Sequence, residues 1–387
     1  MSEPITLEAW EELVKKQQNL EDLYETLSKE NLEGLVVKPI YAKEQKETVV
    51  LPRLEESSNL VAPYHESLEQ EVYSFVLENN VEDLQDKTLF VSNKELCEHI
   101  LTDLNRVFPL VEPFEESTQK LDEQLGKEFL AKGFERALCI DLTLYQNAGA
   151  SMVQQLAVGL GKLKELVEVF GAECLDQVLF RISVGSNYFF EIAKIRALKI
   201  LFNQFCKEYD KTGIPYIFAE TSFRNKSKLD VENNLIRSTL ELSSAMIGGA
   251  DALYSNDYKL EQGSEWSREI GFKQQIVLAY ESLINVFEDA LGGSYFVEDL
   301  TGQLCEKAWA EFLEIENEGG FEKAFESGSI TRKIYESARK EQRWVEEGRI
   351  KLIGVNLYPK HEVVRSVESL YSPTLLKAVR LSEMFEA

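Results

Sequence analysis

Histidine and cysteine are scarce in this sequence. Its 387 residues include three histidines, His65, His99 and His361, and five cysteines, no two of which form a CxxC pair. Structural zinc sites are built from closely spaced cysteines and histidines, so this class of metal site is excluded. A single catalytic histidine would have to be one of the three. Scattered cysteines in odd number are typical of reduced thiols in a cytoplasmic protein.

Basic residues are too few to balance the acidic ones. Lys and Arg number 42 against 67 Asp and Glu, which gives a formal net charge of −25. Proteins that bind nucleic acid or anionic membranes need an excess of Lys and Arg, so we expect neither partner. The sequence also lacks the apolar run of about 18 residues that a membrane-spanning helix requires. Its acidic start is unlike a signal peptide, so we expect a cytoplasmic protein.

One or two polar helices with an apolar stripe are predicted at the start of the chain, over residues 7–17 and 20–29. Their apolar stripe contains Trp10, Leu13 and Leu20. Helices this short are not stable alone, so the segment must pack against another surface. That surface is either the rest of the same chain or a partner, and both alternatives are open. For the partner alternative these three residues are the interface candidates, with Trp10 as the anchor.

Short apolar strands alternate with helices from about residue 81 onward. Strands are predicted at residues 88–91, 137–144, 178–184, 216–221 and 252–255. Helices with apolar residues every three or four positions are predicted at residues 151–169, 189–208, 233–246 and 273–287. Repeated strand–helix units indicate a parallel sheet of the α/β class, either a (β/α) barrel or a doubly wound sheet. No GxGxxG, GxxxxGKS or GxxxxGKT pattern follows a strand, so the nucleotide-binding version loses its main support.

Polar side chains follow the predicted strands at the ends where a barrel places its chemistry. Carboxylates occur at Glu220 and, just beyond the next strand, at Asp257. Two carboxylates in different environments could act as a general acid and a general base. Carboxylates at such positions more often cap the following helix, and capping is the interpretation that we favour. None of the three histidines falls on these predicted strand ends.

Seven segments of the sequence resemble, in order, the barrel region of methylmalonyl-CoA mutases. They are residues 33–41 (EGLVVKPIY), 146–150 (QNAGA), 191–197 (EIAKIRA), 233–237 (NNLIR), 292–298 (GGSYFVE), 354–358 (GVNLY) and 380–386 (RLSEMFE). The resemblance covers roughly residues 33–45 and 137–387. It implies a (β/α) TIM-type barrel, in a family that holds a coenzyme A tail along the barrel axis and uses adenosylcobalamin for radical chemistry.

The resemblance also implies a division into three parts. Residues 1–45 would form an N-terminal helical arm and linker, residues 46–355 the barrel, and residues 356–387 an extension where the linker to a cobalamin domain would begin. Only about ninety residues precede the strand that resembles the family's fifth, whereas each βα unit takes about 30 residues or more. We therefore expect a degenerate barrel, whose shortened first half has lost units or lacks helices.

The polar residues that the family uses for catalysis are mostly replaced here. The pocket that the resemblance defines consists of Leu144, Gln146, Phe218, Glu220, Ser222 and Tyr254. Leu144, Phe218 and Tyr254 stand where the resemblance implies histidines, and Glu220 stands where it implies a glutamine. Phe and Leu supply neither hydrogen bonds nor charge to a substrate carbonyl. Because only Gln146 of the mapped catalytic positions is retained, the pocket is predicted to be vestigial.

The features that would bind cobalamin are missing as well. In the family the cobalt-ligating histidine stands in an Asp-x-His-x-x-Gly string, and His361 lacks both the Asp and the Gly. The cofactor carries the difficult step of such a reaction. We therefore expect no catalytic residue, metal or cofactor on this chain, and adenosylcobalamin on a partner subunit.

Together these departures predict a non-catalytic small (β) subunit of methylmalonyl-CoA mutase. It would bind and stabilise the catalytic large subunit, and the complex, an isomerase of propionate metabolism, would interconvert methylmalonyl-CoA and succinyl-CoA. The alternative is a divergent barrel enzyme that acts on an acyl-CoA or another small molecule without cobalamin, with a polar set of Glu220, Arg224, Tyr254 and Asp257. A third alternative is a homodimeric scaffold, since an isolated chain could pair with a second copy.

Overall fold

Eight parallel strands of the described chain form a nearly closed barrel. The computed structural model describes residues 6–42, 51–79, 81, 84, 86–100, 104–359 and 370–386. The strands are β1 (Asn59–Pro63), β2 (Ser74–Leu77), β3 (Thr88–Val91), β4 (Val107–Pro109), β5 (Leu138–Asp141), β6 (Val178–Val184), β7 (Tyr216–Thr221) and β8 (Ala252–Tyr254). They pair in the order β4-β3-β2-β1-β8-β7-β6-β5. The first strand pairs with the last, as in a TIM barrel, which confirms the predicted fold class.

Helices form the arm and surround mainly the second half of the barrel. In the described chain they are α1 (Leu7–Gln18), α2 (Leu23–Leu27), α3 (Lys94–His99), α4 (Glu123–Lys132), α5 (Thr143–Ala148), α6 (Met152–Phe170), α7 (Tyr188–Lys207), α8 (Glu232–Gly248), α9 (Glu265–Ile276), α10 (Tyr295–Asn317), α11 (Phe321–Glu326) and α12 (Ser329–Glu346). The three predicted helices that precede α9 correspond to α6, α7 and α8. None of the described helices is long and apolar enough to cross a membrane.

The first half of the barrel keeps all four strands but has few helices. A three-residue 3-10 turn, Glu66–Leu68, lies between β1 and β2, and no helix is found among the described residues between β2 and β3. The alternative of lost strand–helix units is therefore wrong, and within the described residues the alternative of missing helices holds. The sequence did not predict β1, β2 and β4 because strands of three to five residues offer too few positions for an alternating pattern.

No histidine follows the predicted strand ends, but one lies close to the end of β1, a strand that the sequence did not predict. His65 lies two residues beyond β1, and its Nδ1 accepts a hydrogen bond from the Ser67 N–H at 3.2 Å, which caps the 3-10 turn. Its Nε2 lies 3.1 Å from a carboxylate oxygen of Glu265. Both ring nitrogens thus have local partners. His99 ends α3, and His361 lies outside the described residues.

The strand predicted over residues 137–144 is shorter than expected. β5 ends at Asp141, whose carboxylate accepts hydrogen bonds from the N–H and the hydroxyl of Thr143, at 2.8 and 2.6 Å. This local turn, in which the Asp141 side chain binds the backbone two residues further on, leads the chain into α5. Leu144 and Gln146 therefore lie on a short helix over the carboxyl end of the barrel and not on a strand.

The helix predicted over residues 273–287 begins earlier and ends earlier than expected. α9 ends at Ile276 and continues as a π-helix over Val277–Glu281. Leu283 then adopts a left-handed conformation, with φ of 54°, which a right-handed helix does not allow. The chain turns toward the start of β1, where the Asn285 side chain exchanges hydrogen bonds of 3.0 and 3.1 Å with the Ser58 backbone.

The seam between β4 and β5 is bridged by side chains. No backbone ladder joins these two strands in the described structure. Glu112, which follows β4, accepts a hydrogen bond of 3.2 Å from the Asp141 N–H and forms an ion pair of 2.7 Å with Lys162 of α6. The Lys162 ammonium is completely buried and lies 4.9 Å from the centre of the Tyr145 ring. A buried ionic group thus replaces backbone pairing at the seam.

The second half of the arm packs against its own chain. Leu23 of α2 and Leu35 are buried. The Val36 backbone exchanges hydrogen bonds of 2.7 and 3.1 Å with the Gln303 side chain of α10. This part of the arm therefore uses the barrel's own helices as its docking surface.

The first helix of the arm is different, because α1 has no fully buried residue. Leu13 is 49% exposed, whereas Trp10 and Leu20 are partly buried. The predicted stripe therefore leaves part of its apolar surface in contact with solvent.

The last described segment, residues 370–386, returns to the carboxyl face of the barrel. The Val379 N–H donates to the Asn147 carbonyl at 3.0 Å, and the Leu381 N–H donates to the Arg224 carbonyl at 2.8 Å. Much of the extension predicted for residues 356–387 therefore covers the strand ends.

Candidate functional site

The barrel axis is filled by apolar side chains that come from all eight strands. One buried cluster comprises Val61, Val76, Phe90, Phe108, Leu110, Cys139, Leu179, Tyr216, Phe218 and Ala252. Its rings are in contact: the Phe90 ring centre lies 5.0 Å from Phe108 and 4.8 Å from Phe218, and Phe108 lies 4.7 Å from Tyr216. We call these four rings the aromatic plug.

An ionic cluster lies beyond the aromatic plug, toward the carboxyl ends of β5, β6 and β7. The Arg181 guanidinium donates to Glu220 at 3.0 and 2.7 Å and to Asp141 at 3.2 Å. Burial disfavours the charge of Arg181, but the two carboxylates outweigh this effect and raise its pKa above the ordinary value. Glu220 also accepts a hydrogen bond of 3.2 Å from the Asn256 amide. Glu220 therefore pairs strands and caps no helix, so the capping interpretation is wrong for this residue.

Asp257 has a separate local role after β8. One carboxylate oxygen accepts from the Lys259 N–H at 2.9 Å, and the other accepts from the Ser267 hydroxyl at 2.7 Å. Ser267 lies in the first turn of α9, so Asp257 fixes the start of that helix. The described contacts of Asp257 do not include Glu220, and no acid–base pair is formed.

A cavity of about 470 Å³ lies on the carboxyl face, over β5 to β7 and beside the barrel axis. Gln146, Ser222 and Arg224 line it, and the Ser222 hydroxyl donates to the Gln146 side-chain oxygen at 3.0 Å. The structure thus brings together three of the residues that the sequence singled out. The other five are not among the residues that line this cavity: Leu144, Phe218, Glu220, Tyr254 and Asp257.

Arg224 is buried, and its guanidinium is occupied by protein groups. It donates to the Glu341 carboxylate at 2.6 Å, to the Val379 carbonyl at 2.9 Å and to the Tyr371 hydroxyl at 3.3 Å. Burial opposes its charge, but Glu341 and Tyr371 raise the pKa of Arg224 above its ordinary value. Arg224 therefore anchors the last described segment to the barrel and is not available to a substrate.

A fully buried ion pair fixes the loop after β7. The Lys226 ammonium lies 2.7 and 2.6 Å from the two carboxylate oxygens of Glu241 on α8. Glu241 also accepts from the Ser222 N–H at 3.1 Å and from the Asn225 amide at 2.6 Å. Burial raises the pKa of Glu241 and lowers that of Lys226, but the pair and its hydrogen bonds oppose both shifts.

Tyr254 and Leu144 complete the predicted set. The Tyr254 ring lies 6.2 Å from Phe218 and so extends the aromatic plug, and burial raises its pKa above the ordinary value. Leu144 is partly buried on α5. Neither residue supplies a polar group to the cavity.

Sequence reasoning missed Arg181 and the pair of Lys226 with Glu241. Arg181 did have a signal, since it is the one charged residue in the apolar strand β6, and a charge in a buried strand needs a partner. Lys226 and Glu241 had none, because a lysine in a loop and a glutamate in a helix look like ordinary surface residues.

Glu33 of the arm reaches the same carboxyl-face cavity. Its carboxylate accepts hydrogen bonds from the N–H groups of Met152 at 2.6 Å and Val153 at 3.3 Å, at the start of α6. Burial raises the pKa of Glu33 from 4.5 to about 7, although the two backbone donors act in the opposite direction. The arm is therefore attached here by a group that titrates near neutral pH.

The Glu33 carboxyl makes a pH-dependent contribution to stability. Its pKa is higher in the folded chain, so between pH 4.5 and 7 the folded state holds more of the proton than the unfolded state does. We expect the free energy of unfolding to fall as pH rises through this window, and to fall less in Glu33→Gln. Across this window the Glu33 carboxyl lowers the free energy of unfolding by about 3 kcal/mol at most, and partial exposure of the side chain makes the effect smaller than this limit. Urea unfolding at several pH values measures it, and parallel curves for the two proteins would contradict it.

The described residues do not fit a cobalamin or metal site. No group of three or more His, Cys, Asp or Glu side chains that could hold a metal ion is found among them. Of the two described histidines, neither lines the carboxyl-face cavity, and His65 already has partners for both ring nitrogens.

Fold and site together define an α/β barrel protein whose axis and carboxyl-face polar groups serve mainly its own packing. The sequence matches the profile of the methylmalonyl-CoA mutase family over residues 134–384, well over half of the chain. This chain belongs to that family.

Its relatives include proteins named as small subunits, proteins named as large subunits, and proteins named simply as methylmalonyl-CoA mutases. It is 34% identical over 245 residues to a methylmalonyl-CoA mutase of Cereibacter sphaeroides, a match that covers 60% of this chain and 35% of that protein. It is 32% identical over 237 residues to a methylmalonyl-CoA mutase small subunit of Porphyromonas gingivalis, covering 58% of this chain and 38% of that protein. It is 32% identical over 244 residues to a large subunit of Propionibacterium freudenreichii subsp. shermanii, covering 60% and 34%. The chain thus matches little more than a third of the length of these relatives.

Proposed function

We propose that this chain is a non-catalytic small subunit of a methylmalonyl-CoA mutase in the cytoplasm. It binds and stabilises a catalytic large subunit, which holds adenosylcobalamin, and the complex interconverts methylmalonyl-CoA and succinyl-CoA. Similarity alone does not choose between the subunit types, because the identities to small and large subunits are both 32%. The choice rests on the site.

The aromatic plug is the observation that carries this proposal. The family resemblance implies a coenzyme A tail along the barrel axis, and here Phe90 and Phe218 occupy that axis with no exposed surface. Arg181 and its carboxylates close the axis toward the carboxyl face. A substrate tail would have to displace close-packed rings and a buried ion pair, both of which are costly.

The contacts of the polar residues that the alternative enzyme would use also favour the non-catalytic proposal. Glu220, Arg224 and Asp257 each bind protein groups, and no described contact joins any two of them. A catalytic group must reach the substrate within hydrogen-bonding distance. These residues are instead engaged in holding strands and loops together.

Co-expression with a cobalamin-binding large subunit of the family tests the proposal. We expect a stable complex that turns over methylmalonyl-CoA, whereas the isolated chain, supplied with adenosylcobalamin and methylmalonyl-CoA, forms no succinyl-CoA. Size-exclusion chromatography with light scattering measures assembly, and product analysis measures turnover. Turnover by the isolated chain would favour the divergent enzyme instead, and a chain that pairs only with itself would favour the scaffold.

The stripe on α1 provides a prediction about the partner surface. Changing Trp10 and Leu13 together to Ala is expected to weaken binding to the large subunit at least about tenfold, because apolar anchors dominate protein interfaces. The melting temperature of the isolated chain should change little, since α1 has no fully buried residue. Surface plasmon resonance on the immobilised large subunit measures the affinity.

A leucine of similar exposure elsewhere serves as the matched control. Leu313 on α10 is 46% exposed, compared with 49% for Leu13, so Leu313→Ala removes a similar side chain at a similar cost to folding. Its affinity for the large subunit should equal that of the wild type. An equal loss in the Trp10 and Leu13 variant and in this control would exclude α1 as the specific contact.

A further inference from the structure

A second cavity lies at the opposite end of the barrel from the site described above. It measures about 660 Å³ and is open to the amino ends of β5 to β7, where Arg136, Asp176 and Ile214 each precede a strand. One face of the second half of α7 forms its long wall. No residue of the aromatic plug or of the carboxyl-face cavity is among its lining residues, so it is a separate feature of the fold.

Cations dominate the lining of this cavity in a chain whose net charge is −25. Lys199, Lys207 and Arg136 contribute three positive charges, against the single carboxylate of Asp176. That carboxylate already has a cation near it, since it lies 3.9 Å from the Lys211 ammonium outside the lining. The cavity therefore has an excess of positive charge that its own walls do not neutralise.

Lys199 is the residue that points to a ligand. Its side chain is 95% buried, and its one hydrogen bond within the described structure is to the Pro52 carbonyl at 3.2 Å. No carboxylate of the described residues lies within 4 Å of this ammonium, and burial lowers its pKa. A buried ammonium has three N–H donors and is stable when an anion accepts from them.

A second cation, Arg53, lies close to Lys199. The position that a side chain would take at Gly249 is 3.0 Å from the Lys199 Nζ and 3.5 Å from the Arg53 Nε, so these two cationic groups share the space that this glycine leaves open. Two nitrogen atoms of the Arg53 guanidinium are buried without a hydrogen-bond partner among the described residues. The nearby Asp251 carboxylate attracts both groups but forms no ion pair with either within 4 Å.

The rest of the lining combines apolar residues with the neutral polar side chains of Asn203, Gln204 and Thr212. Leu51, Ile200 and Ile214 face the same space as the Lys199 ammonium. A small inorganic anion would leave this apolar surface unused, and a neutral apolar molecule would leave the ammonium without an acceptor. A cavity of this volume, apolar with a few convergent polar groups, is of the size that holds a small organic ligand.

We propose that this cavity binds an amphipathic organic anion, with a carboxylate or phosphate head on Lys199 and a short apolar body against Leu51, Ile200 and Ile214. Lys207, which is exposed, and Arg136 add positive charge to the lining and attract the anion from solvent. The site acts independently of the mutase reaction, and its existence does not require that the chain be a small subunit.

Isothermal titration of the whole chain with octanoate and with octyl phosphate, both below their micelle-forming concentrations, tests the proposal. We expect one saturable site per chain for at least one of these probes, and the two arms identify the preferred head group. Octyltrimethylammonium and inorganic phosphate should bind at least about tenfold more weakly, since the first carries a positive head group and the second lacks the apolar body. Equal affinity of either of these two controls would overturn the proposal.

Variants locate the site within the chain. Lys199→Met keeps the aliphatic stem but removes the charge, and it should lower the affinity at least about tenfold. Lys207→Gln changes an exposed position, so it should not affect folding, and it should lower the affinity severalfold. If Lys199→Met does not fold, this second variant tests the site in its place. Lys351→Met, in the lining of the carboxyl-face cavity, is the control and should bind as the wild type does. Unchanged affinity in Lys207→Gln and in any folded Lys199 variant would place the probe elsewhere and overturn the assignment.

Discussion

Replacing Glu241 by Gln is expected to lower the free energy of unfolding by about 3–5 kcal/mol. The substitution keeps the size of the side chain but leaves the Lys226 ammonium as an uncompensated charge in a fully buried site. It also weakens the acceptor for the Ser222 N–H and for the Asn225 amide. Chemical denaturation followed by circular dichroism measures the loss. Because this loop carries Ser222 and Arg224, we also expect the carboxyl-face cavity to lose its shape.

A double substitution separates the charge from the packing. Lys226→Met together with Glu241→Met removes both charges and keeps most of the volume, so it should recover most of the stability lost in Glu241→Gln. Glu232→Gln on the same helix is the exposed control, and it should cost no more than about 1 kcal/mol. If the double variant were as unstable as the single one, hydrogen bonding and not charge compensation would be the main contribution.

Replacing Phe218 by Ala is expected to lower the free energy of unfolding by about 3–5 kcal/mol as well. The ring has no exposed surface and contacts Phe90 on one side and Tyr254 on another. Its removal leaves a hole in the middle of the aromatic plug, which rigid strands on all sides cannot close. A ring-sized apolar hole stays dry and binds small aromatic molecules. Benzene should therefore raise the melting temperature of Phe218→Ala and leave that of the wild type unchanged.

The exposed aromatic residue Tyr280 provides the control for this experiment. It is 71% exposed, so Tyr280→Ala should change stability by no more than about 0.5 kcal/mol and should not respond to benzene. A loss below about 1 kcal/mol in Phe218→Ala would mean that the axis is not close-packed there. That result would remove the main support for the non-catalytic proposal.

The sequence predicted the second half of the barrel well because its signals are long and regular. The helices α6, α7 and α8 each run for four or more turns, so their periodic apolar residues identify them clearly. The strands β6 and β7 are flanked by such helices and are buried on both faces. In the first half only β3 was predicted, since strands of three to five residues with few helices between them show little periodic pattern.

The sequence indicated several residues of the candidate site, but it did not indicate which residues they contact. The replacement of polar residues by Leu144 and Phe218 could be identified from the neighbouring motifs, and Phe218 indeed packs inside the barrel. The partners of Glu220 and Arg224 could not be identified, because Arg181 and Glu341 are 39 and 117 positions away in the sequence. Ion pairs over such separations depend on the completed fold, and no local pattern encodes them.

The seam between β4 and β5 has a consequence for how the molecule opens. In the described structure, backbone hydrogen bonds join every pair of neighbouring strands except β4 and β5, so the barrel can open between these two strands with the ladder of β1 and β8 as the hinge. The contacts of Glu112 with Asp141 and Lys162 hold this seam closed. Local opening requires the least free energy where the fewest backbone bonds break. Amide protons along β4 and β5 should therefore exchange with solvent before those of β7, which is hydrogen-bonded on both sides.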